Sequence, residues 1–207
     1  MKVDVEGLSG PELYRLLIGM VVPRPIAWVG TRSAAGIDNI APFSFFMGVS
    51  SSPPTLAISI AGKGKDALKD TLTNILETGV FTVSIPSVHH LAQVAATALS
   101  LPPEESEFDI ADLTAINGDW VNAPFPSGVR ATAECRLFQH LPVGTTTLVI
   151  GEIVGFQLHD DVVLTHDNKV TVDFAALDPL ARLGGIAYTG LGVVMEQATA
   201  PLSRSGT

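Results

Sequence analysis

Cysteine is almost missing from this chain of 207 residues: Cys135 is the single thiol. One thiol cannot close an internal disulfide, and with no Cys-rich spacing a structural zinc site is not expected. Cys135 falls inside an alternating apolar segment, where it reads as a small core residue. A reducing cytoplasm suits such a chain. Cations are scarce too. Lys and Arg total 12 against 21 Asp and Glu, a net charge of -9. That balance argues against a nucleic-acid partner, because a phosphate backbone is held by clustered Lys and Arg. No basic stretch leads into an apolar core and a cleavage site, so no secretory signal is expected. The most apolar early segment, 16–30, is interrupted by Pro23, Arg24 and Pro25, so no membrane helix is expected either.

The arrangements that mark side-chain catalysis are also missing. No Ser-His-Asp set, metal-ligand cluster or pair of carboxylates stands out, so no catalytic residue and no metal ligand is predicted. No glycine fingerprint follows a strand to open a dinucleotide-binding βαβ unit. His89 and His90 are neighbours and so leave a helix in different directions. With no i, i+4 partner for a metal, both are expected at the surface.

What is present is apolar. Hydrophobic residues make up 46% of the chain and charged residues 16%, with a mean hydropathy of +0.37. One domain over 1–207 can bury a sizeable core, and the excess of apolar residues suggests surface covered by a second copy, a homodimer. Residues 8–18 predict a helix, with Ser9 and Glu12 as a capping box and Leu8 stapled to Leu13; Leu13, Leu16 and Leu17 form its apolar face. Strands are predicted at 26–31 and 39–50, forming a hairpin through the turn AAGIDN, and at 55–60, 80–85, 130–141, 145–159 and 161–164. Helices are predicted at 70–77, closed by Gly79, and at 88–99. Residues 102–112, PPEESEFDIAD, read as an acidic loop over one face. The fold class is therefore mainly β with peripheral helices, an antiparallel β-barrel.

One stretch, Asn39 to Asn74, gathers three features that a core does not need together. Phe45 and Phe46 precede the hydroxyl run Ser50, Ser51 and Ser52. Pro53 and Pro54 deny two backbone donors to a ladder. Lys63, Lys65 and Lys69 then precede a helix opened by Asp70 and Thr71, where N–H groups, helix dipole and lysine charge can hold a phosphate. A flat aromatic ligand with a phosphate tail uses all three. Taken singly, Phe43, Phe45 and Phe46 are ordinary core residues and the serines a solvated turn. Arg24, between two prolines, is either a surface residue of a rigid connection or a ligand contact.

PRPIAWVGT, then DNIAPFSFF with VSSSPP, then KDTLTNI with TGVFTVSI, and finally ARLGG with Tyr188 closely resemble, as an ordered set, the flavin reductase-like proteins. These are FMN-binding split-barrel flavoproteins related to flavoredoxin. The resemblance covers about Leu8 to Gly192. It implies a six-stranded antiparallel FMN-binding split β-barrel, a homodimer with FMN near the subunit interface, and NADH or NADPH as transient electron donor. Members commonly reduce flavin, sometimes supplying a separate monooxygenase or another redox partner.

Carried over residue by residue, the resemblance implies that Ala41, Pro42, Phe43, Ser44, Phe45 and Phe46, with Val49, Ser50, Ser51 and Ser52, lie along the isoalloxazine and ribityl chain. Lys69, Asp70 and Thr71, assisted by Lys63, match the phosphate end, and Lys65 faces solvent. Arg182 and Tyr188 match the C-terminal motif. Met47 stands where the family pattern carries a polar residue such as Asn, which removes one side-chain hydrogen bond to the cofactor. Hydride transfer to a flavin asks little acid or base of the protein, since the flavin is the electron sink; this agrees with the missing catalytic sets. Two other readings stand beside a flavin reductase: an FMN electron-transfer protein with weak NAD(P)H activity, and a non-catalytic dimeric barrel holding another planar ligand.

Overall fold

The computed structural model describes residues 1–64 and 67–196, so Lys65 lies outside the described residues. Seven strands form one antiparallel sheet: β1 (Ala27–Arg32), β2 (Asp38–Phe43), β3 (Phe46–Ser51), β4 (Pro54–Ala61), β5 (Val80–Ser84), β6 (Ala131–Val143) and β7 (Thr146–Leu158). Their order across the sheet is β2-β1-β5-β6-β7-β4-β3. The expected barrel is there, with seven strands rather than six. The extra strand arises because the predicted 39–50 strand is broken at Ser44 and Phe45 into β2 and β3, which lie at opposite edges of the sheet. The two edges are thus consecutive in the chain, and the seam between them lies at Ser44 and Phe45; beyond it the Phe45 carbonyl accepts the Ser59 N–H at 2.8 Å, extending the β3–β4 ladder past Phe46. That seam is the split of the barrel.

The barrel interior is filled by Ala27, Val29, Phe43, Leu56, Ile58, Ile60, Phe81, Val83, Cys135 and Val149, with Leu72 and Ile75 closing one end. Cys135 is fully buried there, as its surroundings in sequence suggest. Burial and the neighbouring Glu134 push its thiol pKa far up, so it is inert packing. The long β6–β7 ribbon bends where its register shifts, at Ile150/Gly151 and at Ile153/Gly155. Both glycines are dictated by close approach: a Cβ on Gly151 would lie 2.4 Å from the Phe81 ring, and one on Gly155 2.2 Å from Trp120.

The described residues form five helices beside the sheet: α1 (Gly10–Met20), α2 (Asp70–Thr78), α3 (Leu91–Ala96), α4 (Glu107–Ile110) and α5 (Phe174–Leu177). In α1 the Glu12 carboxylate accepts the Ser9 N–H at 2.8 Å and the Ser9 hydroxyl at 2.6 Å, so the start is the one its residues specify. Its apolar face does not pack as expected: Leu13, Leu16 and Leu17 are exposed and only Ile18 is buried. Helix α2 ends at Gly79, whose φ of +72° lets its N–H reach Ile75 O at 2.9 Å.

A second cluster, Ile26, Trp28, Ile40, Val94, Phe108 and Leu180, lies between the outer face of β1–β2 and the helices α3 and α4. It explains two departures from expectation. The acidic 102–112 segment is more than a loop, because Ser106 caps α4, whose Glu107 and Phe108 are buried. His90 is buried rather than at the surface, 5% exposed, because the predicted 88–99 helix begins as a 3-10 turn. That turn sets the His90 ring against Trp28, centroids 5.7 Å apart and planes tilted by 58°, while Nδ1 accepts the Ser87 N–H at 3.1 Å. Desolvation and the adjacent His89 lower its pKa to about 4. His89 is exposed, as expected.

Candidate functional site

A chain of three adjoining cavities runs along the seam. The first is lined by Asn39, Ala41, Pro42, Lys63, Lys69, Asp70, Thr71, Glu107 and the segment 97–100. The second shares Pro42 and Ala98 with it and adds Phe43, Ser44, Tyr14, Arg24, Arg182 and Tyr188. The third shares Arg24 and Ser44 with the second and continues over Phe45, Phe46, Met47 and Leu148, with a volume of about 350 Å³. Polar and charged groups line the first end, apolar ones the last. The middle is bounded by strand β2 on one side and the C-terminal segment on the other.

The geometry follows from short-range chemistry. Strand β2 alternates, so Ala41 and Phe43 turn toward the barrel core and Ile40 toward the outer cluster; Ala41 and Pro42 border the first cavity, and Pro42, Phe43 and Ser44 the second. At the charged end, Lys63 Nζ pairs with Asp70 Oδ2 at 2.6 Å. Lys69, the N-cap residue of α2, holds its ammonium 5.5 Å from the Phe43 ring centroid. The Thr71 hydroxyl is buried and donates to Asn39 Oδ1 at 2.9 Å; Thr31 donates to the same oxygen at 3.2 Å, and Asn74 Nδ2 donates to Thr31. Asn39 passes the chain on, donating from Nδ2 to Glu107 Oε2 at 2.7 Å, which also receives the Ile40 N–H at 3.3 Å. Glu107 is 4% exposed, and desolvation raises its pKa.

Of the two roles expected for Arg24, the surface residue is ruled out by burial, and the side chain lines the second and third cavities. It is 4% exposed and its guanidinium knits three walls of the groove. Nη1 donates to Ile18 O at 2.7 Å and Val21 O at 2.8 Å at the end of α1, Nη2 to Leu183 O at 2.8 Å, and Nε to Ser44 Oγ at 3.2 Å. The strand pair Arg24–Pro25 with Ala181–Arg182, extended by Tyr188–Thr189, is what carries the C-terminal motif to the groove. Arg182 then donates to the Tyr188 hydroxyl and, at 2.7 Å, to Gly185 O.

Of the residues singled out in sequence, Ala41, Pro42, Phe43, Ser44, Lys63, Lys69, Asp70, Thr71, Arg182 and Tyr188 come together in the first two cavities, and Phe45 and Phe46 in the third. Val49, Ser50, Ser51 and Ser52 do not join them: they lie on the exposed outer part of β3 and the turn after it, where Ser50 Oγ accepts the Ser52 N–H. Met47 is exposed and lines the apolar end. Tyr14, Asn39, Thr97 and Glu107 were not legible as site residues. The signal for Glu107 is faint, a Ser106 cap followed by an acid beside the apolar Phe108. Among the described residues no group of three or more His, Cys, Asp or Glu is placed to hold a metal. No helix among them is long and apolar enough to cross a membrane.

Comparison with known proteins adds relatives to this geometry. The family model described as flavin reductase like domain matches residues 19–173. An uncharacterized protein of Aquifex aeolicus (strain VF5) is 38% identical over 188 residues, which is 91% of this chain and 94% of that one. The crystal structure of nitrilotriacetate monooxygenase component B from Bacillus cereus superposes with a TM-score of 0.89 at 30% identity, covering 95% of this chain and 98% of the other. Flavoredoxin of Desulfovibrio vulgaris (Miyazaki F) shares the fold, with a TM-score of 0.77 at 23% identity over 97% and 99% of the two chains.

Proposed function

The chain belongs to the flavin reductase like domain family, and from that premise we propose that it binds FMN along the seam and transfers hydride from NADH or NADPH to flavin. The observation that carries this reading is the continuous groove, charged at one end and apolar at the other. Its residues fit the ligand. Lys63, Lys69 and the first N–H groups of α2 hold the phosphate, with Asp70 and Thr71 shaping that end. Ala41–Ser44 follow the ribityl chain, and Phe45 and Phe46 pack on the ring. Arg182 and Tyr188 close the groove, and Val49–Ser52 form the exposed extension of its wall. The Asp70 carboxylate does not itself welcome an anion, and its pairing with Lys63 tempers the repulsion.

A bound flavin supplies the hydride-accepting chemistry. The protein's part is to bind, orient and keep water away. Buried Phe43 and Leu56 back the ring's wall, and Arg24 fixes the separation of α1, Ser44 and Leu183. Hydride transfer to the flavin itself requires no side chain in the groove to move a proton. The nicotinamide is a transient substrate. Exposed Leu16, Leu17 and Met20 of α1, with Met47 and Val49 of β3, favour a homodimer that covers them. The match to a monooxygenase component B favours a reductase that supplies a partner oxygenase, and a cytoplasmic setting suits both.

The test is an absorbance spectrum of purified protein, with and without added FMN, before and after anaerobic NADH. A flavin spectrum bleached by NADH is expected. A protein that neither carries nor takes up FMN overturns the reading. Slow bleaching by NADH beside rapid reduction by a reductase partner replaces it with an electron carrier.

A further inference from the structure

The cavity at the charged end holds four ionisable groups: Lys63, Lys69, Asp70 and Glu107. With both acids ionised their charges cancel. Lys63 is committed to Asp70 at 2.6 Å, which leaves Lys69 and Glu107 to face an incoming anion. Lys69 has no ion-pair partner among the described residues; Glu107 has none either, and its hydrogen bonds come from two neutral donors. A doubly charged phosphate monoester entering here meets one free ammonium and one buried carboxylate. In a low-dielectric cavity that juxtaposition is unfavourable.

Resting on the assignment of this end to the FMN phosphate, we propose that Glu107 is a proton-linked positioning residue, which takes up a proton as the phosphate binds. The geometry permits this without cost to the network. Both donors, Asn39 Nδ2 and Ile40 N, reach the same oxygen, Oε2, so a proton on Oε1 displaces neither. Protonation changes the lining from a net charge of zero to one positive charge. Free Glu107 is already displaced toward its neutral form by burial and by Asp70, so a phosphate dianion completes a shift that the fold begins. The other charged groups near α4 are accounted for. Asp109 is on α4 itself, Asp38 on β2 is paired with Arg32 at 2.6 Å, and Glu104 and Glu105 line the neighbouring outer cavities. Glu77 of α2 borders the same outer cavity as Glu105, and Asp70 is the charged neighbour that adds to the upward shift of Glu107.

The sign follows from linkage. Binding that takes up a proton weakens as pH rises, by up to about tenfold in Kd per pH unit. FMN should show that slope and riboflavin, which lacks the phosphate, should not. Calorimetric titration of the full chain with FMN between about pH 5.5 and 8, in buffers of different ionisation enthalpy, counts the protons; the phosphate's own second ionisation near pH 6 is removed by comparison with Glu107→Gln. The expected result is most of one proton taken up by the wild type beyond that of E107Q. E107Q should also bind FMN several-fold tighter than wild type near the top of that range, a gain that loss of a merely structural contact would not give. Coinciding wild-type and E107Q curves overturn the proposal. Failure of wild-type protein to bind FMN at all overturns the phosphate assignment itself.

Discussion

Arg24→Lys is the most informative single change, because one guanidinium ties α1, Ser44 and the C-terminal segment into a single groove. The side chain makes four hydrogen bonds, three of them to carbonyls at 2.7 to 2.8 Å and one to Ser44 Oγ at 3.2 Å. A lysine ammonium is a compact point charge without the planar fork, and from this position it can keep the two carbonyls at the end of α1 or the one at Leu183, not both. The loss is then about two bonds of the charge-assisted kind, each worth about 1.5–3 kcal/mol net. Burial of Arg24 carries a desolvation penalty that also lowers its pKa, and a variant that lets water in recovers part of it. About 3 kcal/mol of destabilisation remains, a fall in Tm of about 6–12 °C for a chain of this size. The assay is urea denaturation of R24K and Arg24→Met beside wild type, with flavin affinity measured on the same samples. R24M should be worse than R24K, and both should bind FMN and riboflavin more weakly, since the groove walls rather than the phosphate end are disturbed. R24K within about 1 kcal/mol of wild type, with flavin affinity unchanged, would refute the clamp.

Three further changes probe separate parts of the molecule. Lys69→Glu should weaken FMN binding by at least about tenfold while leaving riboflavin binding and Tm nearly unchanged, because it reverses the charge of the cavity's free ammonium; equal losses for both ligands would move the phosphate elsewhere. Glu134→Gln should cost about 3 kcal/mol in denaturant unfolding. Both Glu134 oxygens accept backbone N–H groups, from Asp119, Trp120 and Val121 at 2.7 to 2.9 Å, and an amide turns one of them into a donor facing a donor; a cost under about 1 kcal/mol would show that the 119–121 turn does not depend on the carboxylate. His90 is neutral in the fold, with its pKa lowered to about 4 against an ordinary 6.5. The unfolded chain therefore binds the extra proton first, and about 3 kcal/mol of stability should drain away as pH falls from about 6.5 to about 4, then level off. His90→Gln should flatten that part of the stability profile, and a slope unchanged in the variant would assign it to other groups.

Local rules were readable wherever a few adjacent residues settle the outcome. Ser9 with Glu12, Gly79 at the end of α2 and the AAGIDN turn all act within a few positions of themselves, and each forms as its residues specify. The break at Ser44 and Phe45 was passed over because Pro42 and Ser44 are only short interruptions of an otherwise apolar run, and neither says which strand the chain pairs with next. The chain leaves the β2 edge there only because the sheet has curled far enough to offer β4 as a new partner. His90 and Glu107 were misjudged for a related reason. Each is a polar residue buried by an element distant in sequence, Trp28 and Asn39 respectively, and the single-chain pattern records only that it is polar. The lysines, Ala41–Phe46 and the C-terminal Arg182 and Tyr188 were named together through a resemblance of ordered segments, and the strand pair at Arg24–Pro25 supplies the physical reason they can meet.

The junction at Ser44 and Phe45 has a consequence for the order of events in folding. Where the two margins of a sheet are neighbours in the chain, the barrel is completed when one short connection settles, and the groove's floor does not exist before that. A chain with every strand paired but the margins still apart has a core and no binding site. Any ligand lying across the junction therefore adds its binding free energy to closure alone, by RT ln(1 + [L]/Kd). The supply of such a ligand during synthesis would then bear on how much of the protein reaches its closed form, making it a late participant in folding.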